Sequence, residues 1–185
     1  TALATPGRTV DPRPYLRVER PAGRAIESVS IDRDRAVNPA AAWLVRNTLR
    51  TAVAEGTAKL AAGVADDVAG KTGSSSELRD AWFAGHAEGV VTVVWVGLDD
   101  GATLGLTGAA AAGPIWRAFM ERAVPARPPR PMPEPRGVLR GFVQPSTGLR
   151  VKESRDDARP EVFRRGAEPP RRRIWRRDEP IPVVR

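Results

Sequence analysis

The short run Lys71-Thr72-Gly73-Ser74-Ser75 puts a cation beside three hydroxyls and a glycine, a set of groups that can hold an anion. Two chemistries could use it. In a phosphate loop, Gly70-Lys71-Thr72 would be the closing end. That motif needs Gly five positions before Gly70, and Ala65 stands there. Asp66 and Asp67 would repel a phosphate, and Gly73 is followed by serines and not by a helix with a free N-terminus. On a strand that faces a substrate carboxylate, the residue types fit better. Lys71 supplies positive potential, and the hydroxyls of Thr72 and Ser74 can hydrogen-bond the anion. Gly73, with no Cβ, lets a peptide lie against the strand. A backbone N–H just past the glycine can stabilise the oxyanion of a tetrahedral intermediate. The candidates are therefore Lys71, Thr72 and Gly73 for catalysis and Ser74 and Ser75 for substrate binding. Taken alone, Lys71 could equally be a solvated surface charge.

The rest of the chain offers little competing chemistry. There is no Cys, which excludes disulfides and Cys-based metal sites, and the sole histidine, His86, forms no zinc-binding cluster. His86 reads as structural or exposed. Asp66-Asp67 and Asp99-Asp100 read as solvated loop charges and not as an acid/base pair. No metal or cofactor is implied. No Ser has Lys three residues later, and none has Asn two residues later.

The elements that must position the run are legible from spacing. Asn38 and Pro39 suit the start of a helix over 38–55, with Ala41, Val45, Leu49 and Ala52 at helical intervals and Gly56 at the left-handed position after its end. Strands are predicted over 68–75, 81–86 and 90–97, the last rich in β-branched residues. Their short links favour an antiparallel meander. Gly113-Pro114 opens a second helix with Ile115, Trp116, Phe119, Met120 and Ala123 on one face. Trp82, Phe83, Trp95, Trp116 and Phe119 read as core. Ahead of these, prolines break residues 1–37 into loops and short strands: Tyr15, Leu16 and Val18 in one, Ile26, Val29 and Ile31 in another, with a turn over 22–24. The fold class is α+β, an antiparallel sheet flanked by helices.

Charge divides the chain. The net +8 arises wholly after Pro125: residues 1–125 carry 14 Lys+Arg against 14 Asp+Glu, and residues 126–185 carry 16 against 8, with 11 of the 18 prolines. The expected organisation is a folded part over 1–125 and a Pro/Arg-rich tail over 126–185. That tail has an extended stretch at 127–133, a small hairpin of 138–143 with 149–152, and a basic cluster at 171–177 around Trp175. Nucleic acid is a poor partner for such a tail, because the charge is not spread over a folded face. An anionic envelope surface suits it better. No apolar run approaches the roughly 20 residues of a membrane helix, and the N-terminus lacks a secretory leader pattern.

Around Lys71-Thr72-Gly73 the flanking text is specific. Ala69-Gly70-Lys71-Thr72-Gly73-Ser74-Ser75 is followed by Asp80-Ala81-Trp82-Phe83-Ala84-Gly85, by Val94-Trp95-Val96-Gly97-Leu98-Asp99-Asp100, and by Gly113-Pro114-Ile115-Trp116. Gly56-Thr57-Ala58 precedes it, and Glu161-Val162-Phe163-Arg164-Arg165-Gly166 comes after it. This succession resembles the C-terminal part of the transpeptidase domain of class A (bifunctional) penicillin-binding proteins, in which Lys-Thr-Gly is the third active-site motif after Ser-x-x-Lys and Ser-x-Asn. The resemblance implies the C-terminal portion of a penicillin-binding/β-lactamase-like transpeptidase fold. It also implies cross-linking of peptidoglycan stem peptides through a serine acyl-enzyme, acylation by β-lactams, and a place on the periplasmic side of the bacterial envelope. The nucleophile, its lysine, the second motif and any anchor are then expected upstream in a parent chain. The alternative is a non-catalytic module that binds peptidoglycan or a partner.

Overall fold

The computed structural model describes residues 1–21, 23–30, 33–126 and 132–171. Four short strands come first: β1 (Arg8–Val10), β2 (Arg17–Glu19), β3 (Ala25–Ser28) and β4 (Arg33–Arg35). β2 and β3 form the expected hairpin, with a register shift at Val18/Glu19. β3 ends at Ser28, short of Val29; Ile31 lies outside the described residues. β1 and β4 add an outer antiparallel pair, Arg8 opposite Arg35, that the sequence pattern does not disclose.

Helix α1 (Pro39–Ala54) starts as its cap residues dictate. Asn38 Oδ1 accepts from the N–H groups of Ala40 (2.9 Å) and Ala41 (3.4 Å), and Pro39 sits where no donor is needed. Its other end differs from expectation. Gly56 does not adopt a left-handed conformation. The Glu55 and Gly56 N–H groups donate back to Thr51 (2.8 Å) and Ala52 (3.1 Å) carbonyls, and a Cβ on Gly56 would lie 2.9 Å from the Ala52 oxygen. Close approach, and not a positive φ, is what this glycine provides.

The central sheet is the predicted meander: β5 (Ala69–Ser74), β6 (Ala81–Ala87) and β7 (Val90–Val96), in the order β5-β6-β7, followed by α2 (Ala112–Ala123). Gly73 lies opposite Trp82, which lies opposite Trp95; Lys71 lies opposite Ala84, which lies opposite Val93. The two-residue alternation then separates two faces. Ala81, Phe83 and Ala87 are buried, and α2 covers this face with Trp116 and Met120. The Phe83 and Trp116 rings lie 4.7 Å apart, and the Trp116 Nε1 donates to the Thr92 carbonyl at 3.1 Å. Gly85 permits this seat, since a Cβ there would come within 2.7 Å of the Trp116 ring. Val53, Ala58, Ala61, Val68, Ala112 and Val124 complete the core.

Three aromatics read as core are not. Trp82, Trp95 and Phe119 are 44, 47 and 50% exposed. Trp82 and Trp95 share the opposite face of the sheet from Phe83, where their rings stand 6.2 Å apart with Val91 and Val93 exposed beside them. On α2, Trp116 and Met120 face the core, and Ile115 and Phe119 are turned outward. The apolar stripe of the helix is wider than the surface it buries.

The chain forms two compact units, Thr1–Pro135 and Arg136–Arg185. In the second, β8 (Val138–Val143) pairs with β9 (Arg150–Val151), the expected hairpin, and on its other side with β10 (Arg159–Arg164). β10 has Pro160 and three charged residues among six, a composition tolerated at a sheet edge. Of the extended stretch expected at 127–133, residues 127–131 lie outside the described residues, as does the basic cluster expected at 171–177 from residue 172 onward.

Candidate active site

β5 carries the run singled out above and stands at one end of the sheet order; among the described residues no strand pairs with its outer edge. The Ser75 N–H donates to the Asp80 carbonyl at 3.0 Å, so the backbone groups of Ser75 point toward β6. By alternation, the Ser74 N–H and the Thr72 carbonyl point out of the open edge.

Three side chains gather there. The Lys71 ammonium curls over the edge and donates to the Thr72 carbonyl at 3.0 Å. It also lies 3.5 Å from Thr72 Oγ1 and 3.4 Å from Thr57 Oγ1. The two threonine hydroxyls are 2.8 Å apart. All three groups are solvent-accessible, so an anion at this edge would meet a full positive charge with hydroxyls beside it. Thr57 comes from the turn that follows α1. Charge and spacing gave no cue to it; the Gly56-Thr57-Ala58 text was its only trace.

Ser74 and Ser75 have structural engagements. Ser74 Oγ accepts from the Gly108 N–H at 3.0 Å. Ser75 Oγ accepts from the Asp80 N–H at 2.8 Å, closing the turn between β5 and β6. Gly108 lies against the backbone of the Gly73–Trp82 pair, where a Cβ would come within 2.3 Å of the Trp82 oxygen and 2.4 Å of the Gly73 oxygen. The loop that precedes α2 therefore backs the end of β5. Asp80 adds a further tie, with its Oδ1 accepting from Trp95 Nε1 at 2.8 Å.

The other end of β5 is fixed by charge. Arg46 on α1 is buried and pairs with Asp67, just before the strand; Arg50 Nε adds a contact to Asp67 Oδ1 at 3.5 Å. Asp67 is thus no solvated loop charge: only 14% of its side chain is exposed. His86, opposite Ala69 on β6, is also buried, at 7% exposure. Burial lowers its pKa to about 4, helped by the Arg46 guanidinium and opposed by Asp67. Asp99 and Asp100 are exposed as read; Asp100 Oδ1 accepts from the Ala102 N–H at 3.0 Å. Among the described residues no group of three acidic or histidine side chains could hold a metal ion, and no helix is long and apolar enough to cross a membrane.

A meander with a Lys-Thr-Gly edge strand, backed by one helix and preceded by another, defines a class. Residues 1–121 match the sequence model of the penicillin binding protein transpeptidase domain, and the chain belongs to that family. Its relatives include penicillin-binding protein 1A of Pseudomonas aeruginosa, 33% identical over 140 residues, covering 74% of this chain and 17% of the relative. Penicillin-binding protein 1A of Escherichia coli is 34% identical over 119 residues, covering 56% of this chain and 14% of that protein. The crystal structure of penicillin-binding protein 1A from Haemophilus influenzae superposes with a TM-score of 0.84 at 23% identity, covering 94% of this chain and 32% of that one. The likeness to class A proteins and the α+β transpeptidase fold are thus borne out. The chain spans less than a fifth of the length of these two sequence relatives.

Proposed function

We propose that the chain is part of a peptidoglycan D,D-transpeptidase and forms one wall of its active site. The observation that carries this reading is the open edge of β5, where the Lys71 ammonium and the hydroxyls of Thr72 and Thr57 converge beside the outward N–H of Ser74. In this reading Lys71 and Thr72 bind the terminal carboxylate of a D-Ala-D-Ala stem peptide. Gly73 leaves room for the peptide to lie along the strand. The Ser74 N–H stabilises the oxyanion that forms when a serine attacks the penultimate carbonyl. The Ser74 and Ser75 hydroxyls accept backbone bonds and keep their own hydrogens for donation to substrate. The serine, its lysine and the second motif come from residues outside these 185, and the acyl group passes from the serine to a neighbouring stem's amine with release of D-Ala. β-Lactams acylate the same serine. The work is done on the periplasmic side of the envelope, with the basic tail against an anionic surface.

A fluorescent penicillin tests this. The 185-residue chain alone takes up no covalent label. The complete transpeptidase that contains it is labelled, and Lys71→Ala lowers the labelling rate by about a hundredfold or more, the scale of one lost transition-state contact. Covalent labelling of the isolated chain, or full labelling of Lys71→Ala, would overturn the reading.

A further inference from the structure

Hydrogen counting at the open edge adds one residue to the site. An ammonium only donates, and each threonine hydroxyl has one hydrogen and two lone pairs. Lys71 approaches both Thr57 Oγ1 (3.4 Å) and Thr72 Oγ1 (3.5 Å), and both oxygens can accept from it. The 2.8 Å contact between the two hydroxyls uses one of their two hydrogens. One O–H is therefore always left over, next to the ammonium and open to solvent. If Thr57 donates to Thr72, the spare hydrogen is on Thr72; if the bond runs the other way, it is on Thr57.

We infer that Thr57 is a substrate-positioning residue: it fixes the Thr72 hydroxyl and the Lys71 ammonium so that one O–H and the positive charge present themselves together to the substrate carboxylate. This rests on the reading of the site as a carboxylate-binding edge. Without the Thr57 hydroxyl, the Thr72 hydroxyl becomes a free rotor and the ammonium loses one of its three acceptors. The fold explains why the partner comes from so far back in sequence. α1 ends at Ala54 and turns through Gly56, which tolerates no side chain against Ala52, and this delivers Thr57 to the edge of β5.

The test uses the complete transpeptidase, with a penicillin and the methyl ester of its carboxylate as paired acylating agents. Thr57→Val keeps the shape and removes the hydroxyl; Thr57→Ser keeps the hydroxyl. The expected result is that Thr57→Val lowers the acylation efficiency of the acid by about ten- to a hundredfold, the worth of a hydrogen bond to a charged group, and leaves that of the ester nearly unchanged. Thr57→Ser stays within a few-fold of wild type for both, as a retained hydrogen bond predicts. A merely structural Thr57 would lower acid and ester together, and that result overturns the inference, as does a Thr57→Val enzyme that handles the acid like wild type. A wild-type enzyme that takes the ester as readily as the acid overturns the carboxylate reading and Thr57 with it.

Discussion

His86 offers a measurement that reports directly on how the start of β5 is packed. The His86 ring on β6 is buried, and its pKa falls from 6.5 to about 4, chiefly through burial and secondarily through Arg46 of α1. A base whose folded pKa is depressed holds fewer protons folded than unfolded, so stability is fully present above the unfolded value and is lost as pH falls from about 6.5 toward about 4. Each pKa unit corresponds to 1.36 kcal/mol, so the whole loss is about 3 kcal/mol, of which roughly 2 kcal/mol falls between pH 7 and 4.5. The perturbation is His86→Phe, which fills the site without a titrating group. Urea denaturation of a soluble transpeptidase domain, wild type and variant side by side from pH 7.5 to 4.5, isolates this group from every other titrating residue. The variant should gain on the wild type by about 2 kcal/mol as pH drops across that window. A difference between the two that stays constant within about half a kcal/mol would show that the ring titrates normally and that the burial argument is wrong.

Two other outcomes follow from the same structure. Asp67→Asn leaves the buried Arg46 without its carboxylate and should cost about 3–5 kcal/mol in chemical denaturation; replacing both residues, as in Arg46→Met with Asp67→Leu, should recover much of that loss, and a neutral Asp67→Asn would refute the anchoring role. On its own, the 185-residue chain exposes Trp82, Val91, Val93 and Trp95 on one sheet face, and it should bind a hydrophobic dye and unfold over a broad temperature range; a single sharp calorimetric transition without dye binding would contradict this.

Much of the fold is legible because local signals agree. Asn38-Pro39 starts α1, the β-branched run builds β7, and short turns force β5, β6 and β7 into a meander. The Lys71-Thr72-Gly73 run is legible as chemistry, since its residue types can answer a carboxylate and its neighbours fail a phosphate. What is hidden is whatever depends on partners far apart in sequence. Asp67 looks like loop charge until Arg46 is brought to it across α1. Thr57 carries no charge or period, and it gains meaning only from the 2.8 Å contact to Thr72. Gly108 reads as one glycine among 17; its reason is the backbone it lies against. The exposed Trp82 and Trp95 mislead for a related reason: strand composition predicts burial, whereas alternation decides which face receives it.

The outer edge of β5, with which no strand pairs among the described residues, has a consequence apart from the proposed substrate. An unpaired strand edge is a template on which a second chain can add itself, and proteins guard such edges with charge, lysine above all. Lys71 does this here by capping the outward carbonyl of Thr72 with its ammonium. The charge proposed to bind a carboxylate is thus also the sentry that turns away a stray strand, and a protein that gave up this lysine would lose protection against self-association along with that proposed role.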